Sequence, residues 1–393
     1  MRFDRSLRSS AWLLAAGLLL ASAPSFAQGS PKGAQPLTAE AYQAALEPYI
    51  RARRAFDEES AAYWKAIGEK RQLRNAKRRA NEPIELDDYV LTQPPVYAGP
   101  PRPIDPAGPT APDPTVPPRR PEIPVVSDFL RNAAEQFRFV PEPPENELAF
   151  KQAYVRVASA AGLTRDQIVR VYAFETGGNG TYDVQAGLTH HRPGARAISP
   201  AIGYNQLLST NSVSLLAEHG DQFVRTLRRW SAELSGDHKI AMEQKVEALR
   251  RMIAFARSVP NSWSEHDNLA KNTAGGIGIH AAILDRDIGP LLQTQKLLDS
   301  VLFARRKGYK TPLTAAELEM MNLTGDGNGF DMVTMPQEFR QRVPTANFFQ
   351  QMGYERNPIA KRTGVVAALF ASIDSKMDQA SQLPGARNLA AAF

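Results

Sequence analysis

The 393-residue sequence predicts an all-α protein. From residue 126 onward, apolar residues recur at spacings of three and four, which is the periodicity of amphipathic helices. Helix boundary signals agree with this period: Thr164 and Gln167 form a predicted capping box, and Gly162 follows the preceding helix. Neither alternating strand patterns nor two-residue hairpin turns stand out along the chain.

The predicted helices follow one another with short connectors. We also expect Gly220 to end one of them, because glycine is the commonest residue just after a helix. The predicted segments are residues 127–138, 145–161, 164–175, 204–218, 221–234, 238–257, 267–284, 290–306, 314–322, 336–352 and 362–381.

Residues 1–27 have the pattern of an export signal. Three arginines precede an apolar run, 12–21, that is too short to span a bilayer comfortably. Small residues at Ser25 and Ala27 predict cleavage after Ala27, and the alternative is an uncleaved anchor. Since no other apolar run is long enough for a transmembrane helix, we expect a periplasmic or secreted protein.

Composition and net charge exclude several kinds of site and partner. The chain has no cysteine, which excludes disulfides, thiol nucleophiles and thiolate metal sites. Its net charge of +6 is a mild excess, and no nucleic-acid-binding motif accompanies it. We therefore expect no nucleic-acid partner.

Residues 28–92 form a predicted N-terminal helical segment, with a helix over 37–80 that Thr38 caps. Pro48 predicts a kink or a restart of this helix. The helix combines an aromatic stripe at heptad spacing with a basic end. One interpretation is contact with an acidic envelope protein or anionic surface; the other is a solvated helix whose aromatic residues pack internally. These residues are Tyr49, Phe56 and Tyr63, and Lys70, Arg71, Arg74, Lys77, Arg78 and Arg79.

Residues 93–125 form a predicted proline-rich linker. They hold 13 of the 30 prolines in the chain. Such a segment favours the extended polyproline II conformation, at roughly 3.1 Å per residue. The main domain is then predicted over residues 126–393.

The stretch Val171–Gly180 contains the first candidate functional residue, Glu175. In its helix, Ile168, Val171 and Tyr172 form an apolar face. Glu175 follows them by seven, four and three positions and therefore lies on the same face. A carboxyl group in apolar surroundings has a raised pKa, which is the state that a general acid needs near neutral pH. Gly177 and Gly178 then end the helix, and we expect them to open the backbone to a ligand.

Two later stretches complete a pattern: Ser199-Pro-Ala-Ile-Gly-Tyr-Asn-Gln206 and Leu318-Glu-Met-Met-Asn-Leu-Thr-Gly325. With Glu175-Thr-Gly-Gly178 they resemble the lytic transglycosylase (SLT-type) branch of the lysozyme-like superfamily. That family has a Glu-Ser at a helix end, then Ser-x-x-Gly-Ala-x-Gly-Leu-Met-Gln, then Ala-Tyr-Asn-x-Gly. The resemblance covers about residues 145–330 and implies a lysozyme-like helical domain.

The resemblance also implies roles. The family cleaves the glycan strands of peptidoglycan between N-acetylmuramic acid and N-acetylglucosamine, with one glutamate as acid and base, and leaves 1,6-anhydro ends. Glu175 corresponds to that glutamate. Ser199, Tyr204, Gln206 and Asn322 correspond to substrate-binding positions. The chemistry requires no metal and no other cofactor.

Several positions depart from the family pattern. Thr176 replaces the usual serine, Tyr204-Asn205 replaces Leu-Met, and Met321 replaces the tyrosine before Asn322. These changes admit a catalytically inactive glycan-binding or scaffold protein on the same fold. A hydrolytic muramidase that uses Asp183 as a second carboxylate is a further alternative.

A structural role for Glu175 is also open, in which Arg170 or Arg192 pairs with its carboxylate.

Other patterns have simpler explanations than a functional site. Gly275–Gly278 resembles a nucleotide loop, but no strand precedes it, and close helix packing is favoured. Asp326–Asp331 has the wrong spacing for a calcium loop, which favours a turn. Four histidines are expected in exposed loops rather than at a metal: His190, His191, His266 and His280.

Overall fold

A computed structural model describes residues 38–106, 123–188 and 196–393. This part of the chain is mostly helical and contains no β-sheet, which confirms the all-α class. None of its helices combines the length and apolar character needed to cross a membrane. The predicted export signal, His190, His191 and Arg192 lie outside the described residues.

The described helices are numbered in chain order, and three short 3₁₀ helices lie between them. The first nine α-helices are α1 Ala39–Ala80, α2 Val126–Phe137, α3 Glu147–Ala160, α4 Arg165–Thr176, α5 Ser209–Ala232, α6 Gly236–Ala256, α7 Trp263–Asn272, α8 Ala274–Ile279 and α9 Ile288–Arg306. The others are α10 Ala315–Thr324, α11 Asp326–Thr334, α12 Gln337–Arg340, α13 Gln351–Glu355, α14 Pro358–Thr363, α15 Val366–Ser381 and α16 Pro384–Ala391. The 3₁₀ helices are Leu86–Asp88, His280–Leu284 and Thr345–Phe348.

The chain forms two compact units. Among the described residues, the core unit comprises 123–336 and 367–393, and the N-terminal unit comprises 38–106 and 337–366. The sequence predicted one domain over 126–393, whereas the structure groups residues 337–366 with α1. Burial of apolar side chains from α2, α5, α6 and α8 forms much of the core unit's interior.

Arg74 explains why residues 337–366 belong to the N-terminal unit. Its fully buried guanidinium lies over the rings of Tyr89 and Phe348, at 4.5 and 5.6 Å from their centroids. It donates hydrogen bonds to the backbone carbonyls of Asp88 and Asn347, at 2.9 and 3.0 Å. A buried cation requires such partners, and here they come from segments far apart in sequence.

Other basic residues of α1 also make contacts within the N-terminal unit. Arg71 donates to the carbonyl of Phe349 at 2.7 Å, and Lys77 pairs with the Asp88 carboxylate at 2.6 Å. Lys70 donates to the carbonyl of Asp87. Much of the predicted basic run therefore stabilises its own unit.

The start of the predicted linker folds back on α1 instead of extending away. Tyr97 packs edge-on against Tyr49 and Phe56, with ring centroids at 6.4 and 5.5 Å. The hydroxyl of Tyr63 donates to the carbonyl of Thr92 at 3.0 Å. The aromatic stripe of α1 thus packs internally, and the linker residues 107–122 lie outside the described residues.

The predicted restart of α1 does not occur, and the predicted end of a helix at Gly220 in α5 is wrong. α1 continues through Pro48 without a restart. α5 continues through Gly220. An ideal Cβ on Gly220 would lie 2.4 Å from Cγ1 of Ile253, so a side chain of α6 occupies the space beside this glycine. Gly220 therefore permits close helix packing.

The segment predicted as a helix over 267–284 is divided. Thr273 adopts an extended conformation and caps α8, with its hydroxyl accepting from the amide of Gly276 at 2.9 Å. The glycines of α8 allow close packing, as predicted: a Cβ on Gly278 would lie 2.8 Å from the backbone of α2.

The predicted turn at Asp326–Asp331 is instead the start of α11. The predicted helix 336–352 is broken into short pieces around Pro344.

Candidate active site

Helix α4 places Glu175 as the sequence predicted. Thr164 and Gln167 form the expected capping box, with hydrogen bonds of 3.2 and 2.9 Å between their side chains and backbone amides. Ile168 and Tyr172 are fully buried on the same face, and Glu175 is only 7% exposed. The helix ends at Gly177, which adopts a left-handed conformation with φ of 65°.

Asn322 of α10 contacts Glu175 directly. Its amide Nδ2 donates a hydrogen bond of 2.7 Å to Oε1 of Glu175. α10 begins with a second capping box, in which Thr314 and Glu317 exchange hydrogen bonds with each other's backbone amides. The first and third stretches of the sequence pattern therefore meet through a specific polar contact.

A second carboxyl group lies beside Glu175. Glu319, one turn before Asn322 on α10, is fully buried, and its carboxyl group is within hydrogen-bond reach of that of Glu175. The Asn322 amide is also within hydrogen-bond reach of the Glu319 carboxyl, but among the described residues no N–H or O–H group donates with good geometry to Oε1 or Oε2 of Glu319, or to Oε2 of Glu175. Two carboxyl groups thus face each other in a largely dry interior.

A cation approaches this carboxyl pair from α9. Lys296 interacts electrostatically with Glu175, Glu319 and Asp326. Asp326, at the start of α11, also accepts a hydrogen bond of 2.7 Å from the hydroxyl of Ser300. The site is therefore built from α4, α9, α10 and the first turn of α11.

Burial dominates the electrostatics of this site. Desolvation raises the pKa of Glu175 to about 8, against the lowering influence of Glu319, Lys296 and Asn322. Burial, followed by the proximity of Glu175, raises the pKa of Glu319 well above its ordinary range. Burial also lowers the pKa of Lys296. Glu175 therefore carries a proton at neutral pH, which is the state of a general acid.

The two oxygens of Glu175 differ in their surroundings. Oε2 has no exposed area, whereas Oε1 accepts its hydrogen bond from the partly exposed Asn322. Thr176 and Gly177, directly after Glu175, are also partly exposed.

Gly178 does not open the backbone to a ligand, contrary to our expectation. A Cβ on Gly178 would lie 2.2 Å from the carbonyl oxygen of Ala380, so the chain packs here against the end of α15. Its own carbonyl accepts a hydrogen bond of 2.8 Å from the amide of Ala386 in α16. This glycine positions the end of α4 against the C-terminal helices.

Arg170 does not pair with Glu175 in the described conformation. Its guanidinium lies 2.7 Å from Oδ1 of Asp374 and 2.9 Å from Oδ1 of Asp378, both on α15. Asn322 and Glu319 are the groups that contact the Glu175 carboxyl instead. A pairing between Arg170 and Glu175 therefore does not account for the position of Glu175.

The residues of the second stretch are largely enclosed. Tyr204 is fully buried among aromatic rings, and its hydroxyl donates to Oε1 of Glu147. Gln206 adopts a positive φ of 40° and donates through Nε2 to the carbonyls of Gly203 and Val184, at 2.8 and 3.1 Å. Both side chains therefore already have hydrogen-bond partners within the protein. Ser199 is partly exposed, and its hydroxyl accepts from the amide of Ala201 at 3.2 Å.

Asp183 lies in another group of residues. Its carboxylate accepts a hydrogen bond of 2.6 Å from the hydroxyl of Thr181 and influences Glu147 and Tyr182 electrostatically. Glu147 in turn accepts a hydrogen bond from the amide of Tyr182. The carboxyl group that the structure brings to Glu175 is therefore that of Glu319.

The expectation of an exposed loop is wrong for His280, and His266 is buried as well. Nε2 of His280 lies 2.8 Å from the carbonyl of Pro200, which can only accept, so Nε2 carries the hydrogen. Nδ1 then accepts from the hydroxyl of Ser212, also at 2.8 Å. Burial lowers the pKa of His280 to about 4, so this imidazole is neutral at physiological pH.

Glu319 and Lys296 were not identified from the sequence as site residues. A signal for Glu319 existed, because it precedes Asn322 by three residues and therefore shares its helix face. Lys296 carries no comparable signal, since only the packing of α9 brings it to the carboxyl groups.

Comparisons with known proteins add no family assignment. No protein-family model matches the chain, and no match was found among curated proteins or among solved structures. The resemblance to lytic transglycosylases therefore depends on the three sequence stretches alone.

Proposed function

We propose that this protein is a periplasmic or secreted peptidoglycan lytic transglycosylase with Glu175 as its catalytic acid and base. The proposal includes a lysozyme-like arrangement of the core unit and peptidoglycan glycan strands as the substrate. The single observation that carries it is the 2.7 Å hydrogen bond between Asn322 and Glu175. This bond joins two of the three family-like stretches, which lie 147 positions apart, at a buried carboxyl group.

The electrostatics of Glu175 support the acid role. A general acid must be protonated before the reaction, and the pKa of Glu175, raised to about 8 by burial, meets this requirement at neutral pH.

The proposed reaction uses Glu175 twice. The Glu175 carboxyl first gives its proton to the glycosidic oxygen between N-acetylmuramic acid and N-acetylglucosamine, and the bond from the anomeric carbon to that oxygen breaks. The muramyl 6-hydroxyl then attacks the anomeric carbon and returns its proton to Glu175. The product is a 1,6-anhydro end, and the enzyme regains its starting protonation state.

The test uses the full mature chain, its Glu175→Gln variant and purified peptidoglycan. Glutamine keeps the size of the side chain and the acceptor oxygen for Asn322 but has no acidic proton. We expect wild type to release anhydro-muropeptides, identified by mass spectrometry of the soluble fraction, and Glu175→Gln to release none. Equal release by the two proteins would refute the role of Glu175.

A non-catalytic glycan-binding or scaffold protein is the second candidate. The enclosure of Tyr204 and Gln206 favours it, because two of the proposed substrate-binding side chains are already engaged, Tyr204 with Glu147 of α3 and Gln206 within its own turn. Sedimentation with intact sacculi distinguishes the two: binding without release of products by wild type supports the second candidate. Products with reducing ends would instead indicate a hydrolytic muramidase.

A further inference from the structure

We propose that Glu319 is a positioning residue, which stays neutral and donates its own proton in a hydrogen bond to Oε2 of Glu175. The inference rests on the proposed function for its catalytic consequence, but the hydrogen bond itself does not depend on that function. It assigns a role to a carboxyl group that the sequence pattern did not single out.

Three buried oxygens lead to this inference. Oε2 of Glu175 and both carboxyl oxygens of Glu319 have no exposed area and receive no well-formed hydrogen bond from the described residues. A buried polar atom without a hydrogen-bond partner is unfavourable, and more so when it is charged. One proton on Glu319 removes much of this cost, because it creates an O–H group that faces Oε2 of Glu175.

The surroundings of Glu319 favour its neutral form. Glu319 is fully buried, and Glu175 of α4 lies beside it, so two negative charges here would repel each other in a poorly solvated space. Lys296 of α9 favours the charged form of Glu319, but its positive charge also interacts with Asp299 and Asp326. Asn322, on the same face of α10, donates to Oε1 of Glu175 and also lies within hydrogen-bond reach of Glu319, where it favours the charged form less strongly than burial opposes it.

The arrangement gives each Glu175 oxygen its own donor. Asn322 donates to Oε1, and Glu319 donates to Oε2. Two donors from one helix fix the orientation of the Glu175 carboxyl, and both hydrogen bonds strengthen when Glu175 becomes a carboxylate after proton transfer. Glu319 thus stabilises the charged intermediate state of Glu175 without touching the substrate.

Two substitutions separate donation from packing. Glu319→Gln keeps a neutral N–H donor, while Glu319→Met keeps similar length but has no donor. We expect Glu319→Gln to retain kcat within about 3-fold and Glu319→Met to lose about 10-fold or more, since a hydrogen bond to a charged group contributes about 1.5–3 kcal/mol. KM should change little in either variant, because Glu319 does not contact the substrate.

The pH profile supplies a readout that a purely structural role would not move. A donor to Glu175 favours its charged form, so loss of that donor raises the pKa of Glu175. The alkaline limb of the kcat profile should therefore shift to higher pH in Glu319→Met and stay near wild type in Glu319→Gln. Similar kcat values and profiles in the two variants would overturn the donor role.

Infrared spectroscopy tests the proton without using activity. We expect the carbonyl stretch of protonated carboxyl groups at neutral pH to weaken in Glu319→Gln, and to stay unchanged in Glu243→Gln, a surface control on α6. No weakening in Glu319→Gln overturns the inference even if the enzyme is active. If wild type releases no peptidoglycan products, the positioning role fails together with the proposed function, and the infrared band still decides whether the hydrogen bond exists.

Discussion

Asn322 Nδ2 lies 2.7 Å from Oε1 of Glu175 and connects the last turn of α4 to the last turns of α10. Glu175 is almost fully buried, whereas Asn322 is partly exposed. The hydrogen bond therefore joins a buried acid to a partly exposed residue. This geometry leads to the first prediction.

Replacement of Asn322 by alanine should impair the proposed reaction without unfolding the protein. The change removes the donor to Oε1, and a hydrogen bond to a charged group is worth about 1.5–3 kcal/mol, so we expect release of anhydro-muropeptides to fall about 10-fold or more. The alkaline limb of the activity profile should also move to higher pH, because this hydrogen bond lowers the pKa of Glu175.

The matched control for this prediction is Asn272→Ala. Asn272 is an exposed helix residue of α7 in the same unit, and it donates to Asn268 at 2.6 Å. The two variants should have similar circular dichroism spectra. Product release that falls equally in both would show that the loss does not come from the contact with Glu175.

The fold class was predictable because helix boundaries are set by local residues. The capping box of Thr164 and Gln167 fixes the start of α4, and helical spacing alone placed Glu175 on the buried face. Gly220 was misinterpreted because Ile253, which fills the space beside it, lies on a different helix. Local sequence holds no information about that neighbour.

The candidate site was predictable only in part for the same reason. Asn322 was predicted from the order of the three family-like stretches. Glu319 was not predicted, although it lies on the same helix face. Tyr204 was expected near the sugar, but the aromatic cluster around it buries the ring. Which polar group faces a ligand depends on packing between helices, and spacing along one helix does not specify it.

The stability of the protein should fall as the pH rises from about 5 to about 8. Burial raises the pKa of Glu175 from 4.5 to about 8, so its contribution to stability is complete below pH 4.5 and is lost as the pH passes through about 8. The neighbouring Glu319, whose pKa burial also raises, adds to the same loss of stability. Urea unfolding at several pH values measures it.

The Glu175→Gln variant should weaken this pH dependence, because its amide stays neutral at every pH while Glu319 still titrates. We therefore expect the variant to be more stable than wild type near pH 8. Glu243→Gln, at an exposed position of α6, should retain the wild-type dependence. Parallel curves for wild type and Glu175→Gln would contradict a buried, protonated Glu175.

Lys245 should be essential for the stability of the core unit. It is 5% exposed in its side chain, and Nζ lies 3.1 Å from both Glu142 and the fully buried Asp285. Asp287 is a third partner. Arg286 also pairs with Glu142 and Asp287, but Lys245→Met leaves the buried Asp285 without its cation, so we expect a loss of about 3–5 kcal/mol in the free energy of unfolding.

An exposed ion pair provides the comparison for Lys245. Lys271 lies 2.7 Å from Asp267, but both side chains are substantially exposed. Lys271→Met should cost less than about 1 kcal/mol, because solvent screens the pair. Chemical denaturation of the two variants tests the difference, and equal losses would show that burial of the Lys245 network is not what stabilises it.

Two glycines within helices should respond to alanine in opposite directions. A Cβ on Gly68 in α1 meets no atom within 4 Å, so Gly68→Ala should raise stability by about 0.5–1 kcal/mol through higher helix propensity. A Cβ on Gly220 would lie 2.4 Å from Cγ1 of Ile253, close to the α6 backbone. Overpacking of this kind costs about 1–3 kcal/mol, so Gly220→Ala should lower stability despite the gain in helix propensity.

A double-mutant cycle attributes the Gly220 effect to one neighbour. Ile253→Ala removes the atoms that a Cβ on Gly220 would meet, at the cost of a cavity in the core. If Ile253 is the obstacle, Gly220→Ala should no longer destabilise the Ile253→Ala protein, and the coupling free energy should be about 1 kcal/mol or more. Additive losses, measured by chemical denaturation, would mean that the α5 backbone itself resists alanine at this position.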